Sequence, residues 1–367
     1  MSPDSEVSDG GLALRGVKAT SSACAVQAEC GGCPLMPLGL EEQSRAKLSL
    51  VVKALARHAI AQRSIAWTAS PRALGYRNRV RLRVTPGGEI GFFNPEKVAS
   101  CAVLEPGLRL RFEALLALSR SQPGLFRGWQ HLELRADDAL GRPGLALGGP
   151  TFDGELVERS RAIAERLTDH SVGVRGDPQI AWQQRGVLDT TLFVPLDAFL
   201  QVNDGVNALL VAAVRDGMLA RGASRALDLY AGAGNFSLPL ARAGLTLTAV
   251  ELHGGAARAL SAAADAQGLT CHAMAGSAPA VAAELCATGR RFDAVIVDAP
   301  RAGAREAVAA IAALEARWVV ICSCRAESFA RDVAGLGRAG YRLEELRAFD
   351  MFPHTDHVEL LGWLSRE

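Results

Sequence analysis

The sequence predicts an α/β protein, with a parallel, doubly wound sheet in its C-terminal half and a smaller α+β domain ahead of it. Three observations predict this. From about residue 196, short apolar runs alternate with helical stretches: "RALDLY", "LTAVEL", "FDAVIVDAP", "RWVVICSC" and "HVELLGWL". That alternation is the signature of strands joined by crossover helices. Upstream, strand-like runs follow one another with turn residues between them and little helix, as an antiparallel sheet requires. The chain also has 367 residues, 49% hydrophobic and 22% charged, which suits a globular protein of two domains.

In chain order, residues 1–22 are small and polar without apolar periodicity and are expected to be disordered. Next comes "ECGGCPLM", preceded by a further thiol, so that Cys24, Cys30 and Cys33 fall within ten residues as C-x5-C-x2-C. Residues 38–68 contain "GLEEQSRAKLSLVVKALARHAIAQ", whose apolar spacing predicts an amphipathic helix packing on the catalytic domain. "LGYRNRVRLRVTPGGEIGFF" alternates about a "TPGGE" turn and predicts a β-hairpin. "WQHLELRAD", "PGLALGG", "IAWQQRG" and "LDTTLFVPL" are further strand candidates, with one helix near "GELVERSRAIAERLTD". The expected organisation is a central domain of residues 23–37 and 69–190, followed by a catalytic domain of residues 191–367.

Net charge is +1, so any basic surface for a nucleic acid must be local. Arg72, Arg77, Arg79, Arg81 and Arg83 form such a group without an acidic neighbour, and four of them alternate along one strand face. The first ten residues do not resemble a signal peptide, and the apolar runs are too short or too interrupted to span a bilayer. The expected location is cytoplasmic. Eight cysteines there point to ligands, nucleophiles or core residues rather than disulfides.

"ALDLYAGAGNFSLPLA" predicts a strand, a glycine turn and a helix. Gly232 and Gly234 would let a ligand approach the main chain. Glu251 ends the next strand, where a carboxylate suits the hydroxyls of a ribose. With Asp298 ending another strand, the pattern favours S-adenosylmethionine in a Rossmann-like domain. A nicotinamide cofactor fits less well, because "GAGNF" lacks the third glycine of that fingerprint. Cys322, Cys324 and Glu359 also fall at strand ends. Strand alternation points both thiols to one face and cannot choose between them; Cys324 lies nearer the strand's end and is preferred.

These motifs together resemble the RNA uridine-5-methyltransferase family. The resemblance covers about residues 24–363 and rests on the cysteine cluster, "YRNRVRLRV", "FLQVN", "DLYAGAGNFSLPLA", "VDAPRAG", "CSCRAESFARD" and "FDMFPHTDHVE". It implies Cys324 as nucleophile and Glu359 as base. It implies Gln201, Tyr230, Asn235, Glu251 and Asp298 as contacts to S-adenosylmethionine. Members that modify rRNA bind a [4Fe–4S] cluster through four cysteines, which match Cys24, Cys30, Cys33 and Cys101. On spacing alone, four thiolates suit zinc equally well. The resemblance favours iron–sulfur, with a structural role, in the central domain. It implies 23S rRNA as the substrate, a tRNA or a non-catalytic role in RNA binding or ribosome assembly being the alternatives. The target uridine is expected to be in a loop or flipped out.

Where the family has "DPPR" and "SCNP", this chain has "DAPR" and "SCRA", bringing in Ala299, Arg325 and Ala326. Only 23 residues precede Cys24, so the N-terminal β-barrel RNA-binding domain of some members is expected to be missing. His354 and His357 are expected to shape the loop before Glu359. A monomer without an obligate protein partner is expected.

Overall fold

The computed structural model describes residues 24–61, 64–92, 98–149 and 154–366. The expected disorder of residues 1–22 lies outside them.

After a short helix, Gln27–Cys30, comes the helix Leu40–Arg57, with Glu41 and Glu42 in its first turn and Arg57 in its last, as the helix dipole favours. Strand β1 (Ala66–Thr68) follows, and then the strands of the central domain: β2 (Arg79–Val84), β3 (Ile90–Gly91), β4 (His131–Arg135), β5 (Gly144–Gly148) and β6 (Ser171–Val174). They form one sheet in the order β3-β2-β4-β5-β6. The β2–β3 hairpin forms as its turn residues predict. The sheet departs from the purely antiparallel one expected: β6 runs parallel to β5. The helix Gly154–Arg166 carries the chain back across one face, and such a crossover delivers the next strand parallel.

Val80, Leu82, Leu132, Leu134, Leu145 and Leu147 point from this sheet into one core. A second helix, Pro106–Ser121, covers that core and was not expected. Its signals are nonetheless present: Pro106 opens the first turn, and Leu108, Phe112, Leu115 and Leu116 are buried at one helical face.

β7 (Trp182–Val187) and β8 (Thr190–Pro195) pair as a separate hairpin. Val187, Leu192 and Val194 join the core that contains Leu210 and Val214 of the helix Asp204–Ala220, and Leu260. The expected boundary between residues 190 and 191 falls within this hairpin, whose β7 also bonds the central domain: Gln183 donates to the Ala136 and Arg142 carbonyls, and Arg185 to the Asp137 carbonyl.

That domain contains β9 (Arg225–Leu229), β10 (Thr246–Glu251), β11 (Cys271–Ala275), β12 (Ala294–Asp298), β13 (Trp318–Ser323), β14 (Arg342–Phe349) and β15 (Glu359–Ser365). The sheet order is β1-β14-β15-β13-β12-β9-β10-β11. The doubly wound core is parallel, but β15 is antiparallel to both β13 and β14. The reason is the short link Asp350–Val358: a parallel return needs about a dozen residues or more, usually a helix. This reversal brings the start of β15 to the edge where the parallel strands end. The helix Leu40–Arg57 packs Val51, Ala54 and Leu55 into the core that holds Val295, Val297 and Val319 of this sheet.

Candidate active site

The donor side of the site is built on the turn after β9. Tyr230, Gly232 and Gly234 all have positive φ, at 64°, 57° and 95°. Gly234 has a second constraint: a Cβ there would lie 2.9 Å from Leu238 and 3.1 Å from Leu260. Below the turn, buried Asp228 accepts a hydrogen bond from the Ser237 hydroxyl at 2.5 Å and ties β9 to the helix Ser237–Arg242. Burial pushes the Asp228 carboxyl up to about 7. Asp228 was not singled out from the sequence, although its place in "LDLYAGAG" just before the glycines was a usable signal.

Glu251 ends β10, and both its oxygens are held by main chain. Oε2 accepts from Gly232 N–H at 2.9 Å, and Oε1 accepts from His253 N–H at 2.7 Å. Leu252 beside it is largely exposed. Asn235 exchanges two amide hydrogen bonds with Asn207, at 2.8 and 2.9 Å, which fixes its orientation. Gln201 donates to Asp298 Oδ2 at 3.4 Å. The five residues implied as donor contacts thus lie along the ends of β9, β10 and β12 and the "FLQVN" segment. Burial pushes the Asp298 carboxyl up to about 7.

Across the next strand pair lie the thiols. Cys322 is 0% exposed and sits in register with Asp298 on one side and Leu361 on the other. Ser323 pairs with Leu360 as the last pair of the ladder; Cys324 follows on one strand, Glu359 precedes Leu360 on the other, and the charge of Glu359 acts on the Cys324 thiol. Cys324 is only partly buried, lying between the end of β13 and the helix Ala326–Arg338. Burial, and then the neighbouring Glu359, push its thiol up to about 11; Arg301, hydrogen-bonded to it, pulls the other way. Glu359 is 3% exposed, and burial followed by the charge of Asp298 holds its carboxyl well above the carboxylate range. Cys322 has no route to a solvent-borne substrate, whereas Cys324 does.

Arg301 follows β12 in "VDAPRAG". It is exposed, its carbonyl accepts from Ser328 Oγ at 2.6 Å, and its Nη2 lies 3.1 Å from His357 Nε2. The two histidines separate. His357 borders the mouth of the site. His354 is buried at φ 70°, its N–H donating to Gln43 Oε1 at 2.9 Å and its carbonyl accepting from Leu35 N–H at 2.9 Å. Lys47 reinforces the same loop, donating to Asp350 at 2.6 Å and to the Phe352 carbonyl at 2.9 Å. Tyr76 donates to the Pro353 carbonyl at 3.2 Å. The segment leading into Glu359 is therefore held by the cysteine-bearing region and the helix after it.

The four expected metal ligands lie in that region. Cys24, Cys33 and Cys101 pack against Met36, Tyr76 and Val103, and Cys30 and Cys101 border the central-domain core. All four are free thiols. Burial first, and then the charges of Cys101, Cys30 and Cys24, push the Cys33 thiol up to about 12, while Arg77 opposes this. Gly31, with φ 66°, ends the short helix before Cys33, and Gly32 passes close to the Cys30 sulfur. The four thiols are thus near neighbours beside a cation. Among the described residues, no three His, Cys, Asp or Glu side chains come close enough together to hold a single metal ion.

The arginine stripe is divided by the fold. Arg81 and Arg83 of β2 are exposed. Arg79, on the same face, is instead drawn inward: its side chain is 18% exposed, it pairs with Glu133 at 3.2 Å, and it donates to the Leu200 carbonyl at 2.7 Å. Its guanidinium lies 5.0 Å from the ring of Phe199, which is 62% exposed beside "LQVN". Arg77 donates to the Arg79 carbonyl, and Arg72 to the Gly75 carbonyl. His131, opposite Arg83, is pushed down to about 4 by burial and then by the charges of Arg81 and Arg175. The outward part of the stripe is therefore Arg81 and Arg83; Arg175 nearby is half-buried, 3.9 Å from Glu133 and donating to the Asp197 carbonyl at 3.0 Å. Replacing Arg81 and Arg83 with Ala is expected to weaken RNA binding and flatten its salt dependence without touching donor affinity. Arg79→Ala is expected to cost about 2 kcal/mol of stability instead, by removing one partner of a buried carboxylate. Chemical denaturation and filter binding across a salt series check both.

Comparison with known proteins matches this geometry to a family. A family model described as tRNA (Uracil-5-)-methyltransferase matches residues 283–367, which hold β13, β15 and both proposed catalytic groups. A 23S rRNA (uracil(1939)-C(5))-methyltransferase of Pseudomonas fluorescens is 33% identical over 93% of this chain and 79% of its own. The same-named protein of Chromohalobacter salexigens is 33% identical over 94% of this chain and 76% of its own. In fold, the chain is similar to a Pyrococcus abyssi tRNA (uracil-54, C5)-methyltransferase solved with S-adenosyl-L-homocysteine, with a TM-score of 0.71, 23% identity, and coverage of 91% of this chain and 85% of that one. With its Rossmann-like sheet, its strand-end thiol and carboxylate, and relatives this similar over most of their length, the chain belongs to the S-adenosylmethionine-dependent RNA uridine-5-methyltransferase family.

Proposed function

We propose that this protein methylates C5 of a uridine in 23S rRNA through a covalent bond between Cys324 and uracil C6. The observation that supports this is the ladder of β13 and β15: its last pair, Ser323 with Leu360, leaves Cys324 and Glu359 as neighbours at its end, the charge of Glu359 acting on the thiol, and Asp298 is in register with Cys322.

Uracil C5 is a weak nucleophile. When Cys324 Sγ bonds to C6, the electrons of the C5–C6 double bond shift toward C5 and the O4 carbonyl. C5 then takes the methyl group from the donor sulfonium, whose S–CH3 bond breaks to leave a neutral thioether. Glu359 removes the C5 proton; the electrons left behind restore the double bond and expel the Cys324 thiolate. Donor charge suits this order. A sulfonium near Asp298 and Glu359 favours their ionised forms, against the burial that raises both. Once that charge is gone, Glu359 regains its raised proton affinity when the C5 proton has to leave. Arg301 favours the thiolate of Cys324 in the first step and again as leaving group.

The donor itself is held, on this reading, by Gln201, Tyr230, Asn235, Glu251 and Asp298, with Glu251 at the ribose. Cys24, Cys30, Cys33 and Cys101 hold a [4Fe–4S] cluster. Four free thiols beside Arg77 support a ligand set of four thiolates, and the family resemblance favours a cluster over zinc. The cluster joins residues 23–37 to the sheet domain of residues 69–190, and that domain binds RNA through Arg81 and Arg83. The relatives at 33% identity, both named for 23S rRNA, favour rRNA over tRNA. Among the described residues no helix is long and apolar enough to cross a membrane. We place the protein in the cytoplasm as a monomer.

Mass-spectrometric mapping of 5-methyluridine in rRNA and tRNA, from cells with and without this gene, tests the reading. The expected result is loss of the modification at one or two 23S positions. Loss confined to tRNA, or no loss in either RNA, overturns it.

A further inference from the structure

At the end of the eight-stranded sheet away from the catalytic groups, a cleft of about 590 Å³ is lined by Arg225, Arg290 and Arg291. It is framed by the first residues of β9, β10 and β11 and by the loop Gly289–Phe292 that leads into β12. In a parallel sheet the strand starts gather at one edge, while Glu251 and Asp298 lie at the other. Strands of five or six residues at about 3.3 Å each put the two edges roughly 15–20 Å apart. The occupant of this cleft is therefore neither the methyl donor nor the target uridine.

The lining says what it would hold. Three arginines line it together with His272, Thr246 and Thr270, and no acidic residue does. The nearest acid in sequence, Asp293, lies beside Arg225, its Oδ2 accepting from Ser224 N–H, Ser224 Oγ and Arg225 N–H, each at 2.8 Å. Among the described residues, Arg290 and Arg291 are in no ion pair. On a protein whose net charge is only +1, this is a local concentration of positive charge in a concave site. Guanidinium forks match phosphate oxygens, and hydroxyls add contacts to phosphate and sugar.

We propose that this cleft holds a stretch of the RNA substrate's sugar–phosphate backbone remote from the methylated uridine. The proposal rests on the RNA-methylating reading above and adds a second, distant contact. It makes affinity depend on RNA length: a short loop reaches only the catalytic edge, and a long RNA reaches both.

The test compares the whole protein with its Arg290→Ala/Arg291→Ala variant on two RNAs, a loop oligonucleotide carrying the target uridine and full-length 23S rRNA. For the long RNA, affinity and KM should weaken about tenfold, and the salt slope should flatten by about 1.4 for two lost single-strand phosphate contacts. kcat, donor affinity and all constants on the short loop should be unchanged. Unchanged affinity and salt slope on the long RNA would overturn the proposal. So would a variant that loses only the binding of inorganic tripolyphosphate, which would mark a small-anion site. Filter binding of the long RNA reads the cleft even if the wild-type protein methylates neither RNA, an outcome that would count against the proposed function alone.

Discussion

Cys324→Ala is expected to abolish methyl transfer and to form no covalent RNA adduct, while Glu359→Gln is expected to accumulate one. The difference follows from the order of the two steps. Sγ must occupy C6 before C5 can attack a methyl group, and the carboxylate is needed only when the C5 proton leaves. In Glu359→Gln, addition and methyl transfer remain possible, so methylated RNA stays bound through Cys324. It should run as a slow band on a denaturing gel, and after nuclease digestion leave a mass increment on the peptide containing Cys324. Cys322 cannot substitute in the Cys324→Ala variant, because it is enclosed between β12 and β15 at 0% exposure. An increment found on Cys322 would overturn the assignment of the nucleophile, and normal turnover by Glu359→Gln would overturn that of the base.

The pH dependence has a definite sign. The Cys324 thiol is pushed up to about 11, so at neutral pH the reactive thiolate is a minor form and its fraction rises with pH. Adduct formation should therefore speed up by nearly tenfold per pH unit between about 7 and 9 in a single-turnover experiment, as a thiol far below its pKa requires. Glu359 is one of the groups that raise this thiol. Glu359→Gln should accordingly form its adduct at lower pH than the wild-type protein forms its own.

Cys33→Ala is expected to strip the iron and loosen the approach to the active site together. Anaerobically purified wild-type protein should be brown, with about four iron atoms per chain, as a cubane held by four thiolates requires. The variant should be colourless. Leu35, two residues beyond Cys33, donates to the His354 carbonyl, and Gln27 donates to the Cys33 carbonyl at 3.3 Å. Loss of the cluster should free this segment and let the loop before Glu359 shift. A misplacement of the order of 1 Å in a catalytic group costs up to about 100-fold, so kcat should fall roughly 10- to 100-fold. Donor affinity should change little, since the turn at Gly232 and Gly234 lies on another element. Limited proteolysis should cut the variant near residues 24–38 and spare the wild-type protein. A colourless wild-type protein holding one zinc would overturn the cluster; a brown one whose Cys33→Ala variant keeps full kcat would overturn the link to the loop.

The residues that the sequence by itself determined are those whose local pattern has one physical solution. "DLYAGAGNF" dictates a strand, a glycine turn and a helix, because φ at Gly232 and Gly234 is positive and Gly234 leaves no room for a Cβ. The alternation of "RVRLRV" fixes which side of β2 is core, since Val80 and Leu82 face inward and the arginines do not. The spacing of Cys24, Cys30 and Cys33 brings three thiols together within one short stretch. The fourth, Cys101, reaches them only through a family resemblance or the folded chain, because nothing local connects it to them.

What the tertiary structure decided were relations between segments far apart in the chain. Alternation along "VVICSC" leaves Cys322 and Cys324 on the same face. Only the lateral neighbours, Asp298 and Leu361 on either side of Cys322, show which thiol is enclosed. The direction of β15 was not legible in "HVELLGWL", because an apolar strand has the same composition whichever way it runs. It was set by the short link before it, and that reversal is what brings Glu359 to Cys324. The edge strand β11 and the interior strand β14 escaped for a similar reason: "CHAMA" and "RLEELRAF" carry little of the apolar, β-branched composition that marks a buried strand, and their partners supply the rest. Arg79 shows the same division. Its sequence neighbours placed it on a solvent-facing stripe, but Glu133 and the Leu200 carbonyl, more than fifty residues away, turn it inward. Local chemistry fixes backbone conformation and the side of a strand that is buried; which residues meet at a site depends on loop length and strand register, which are properties of the folded chain.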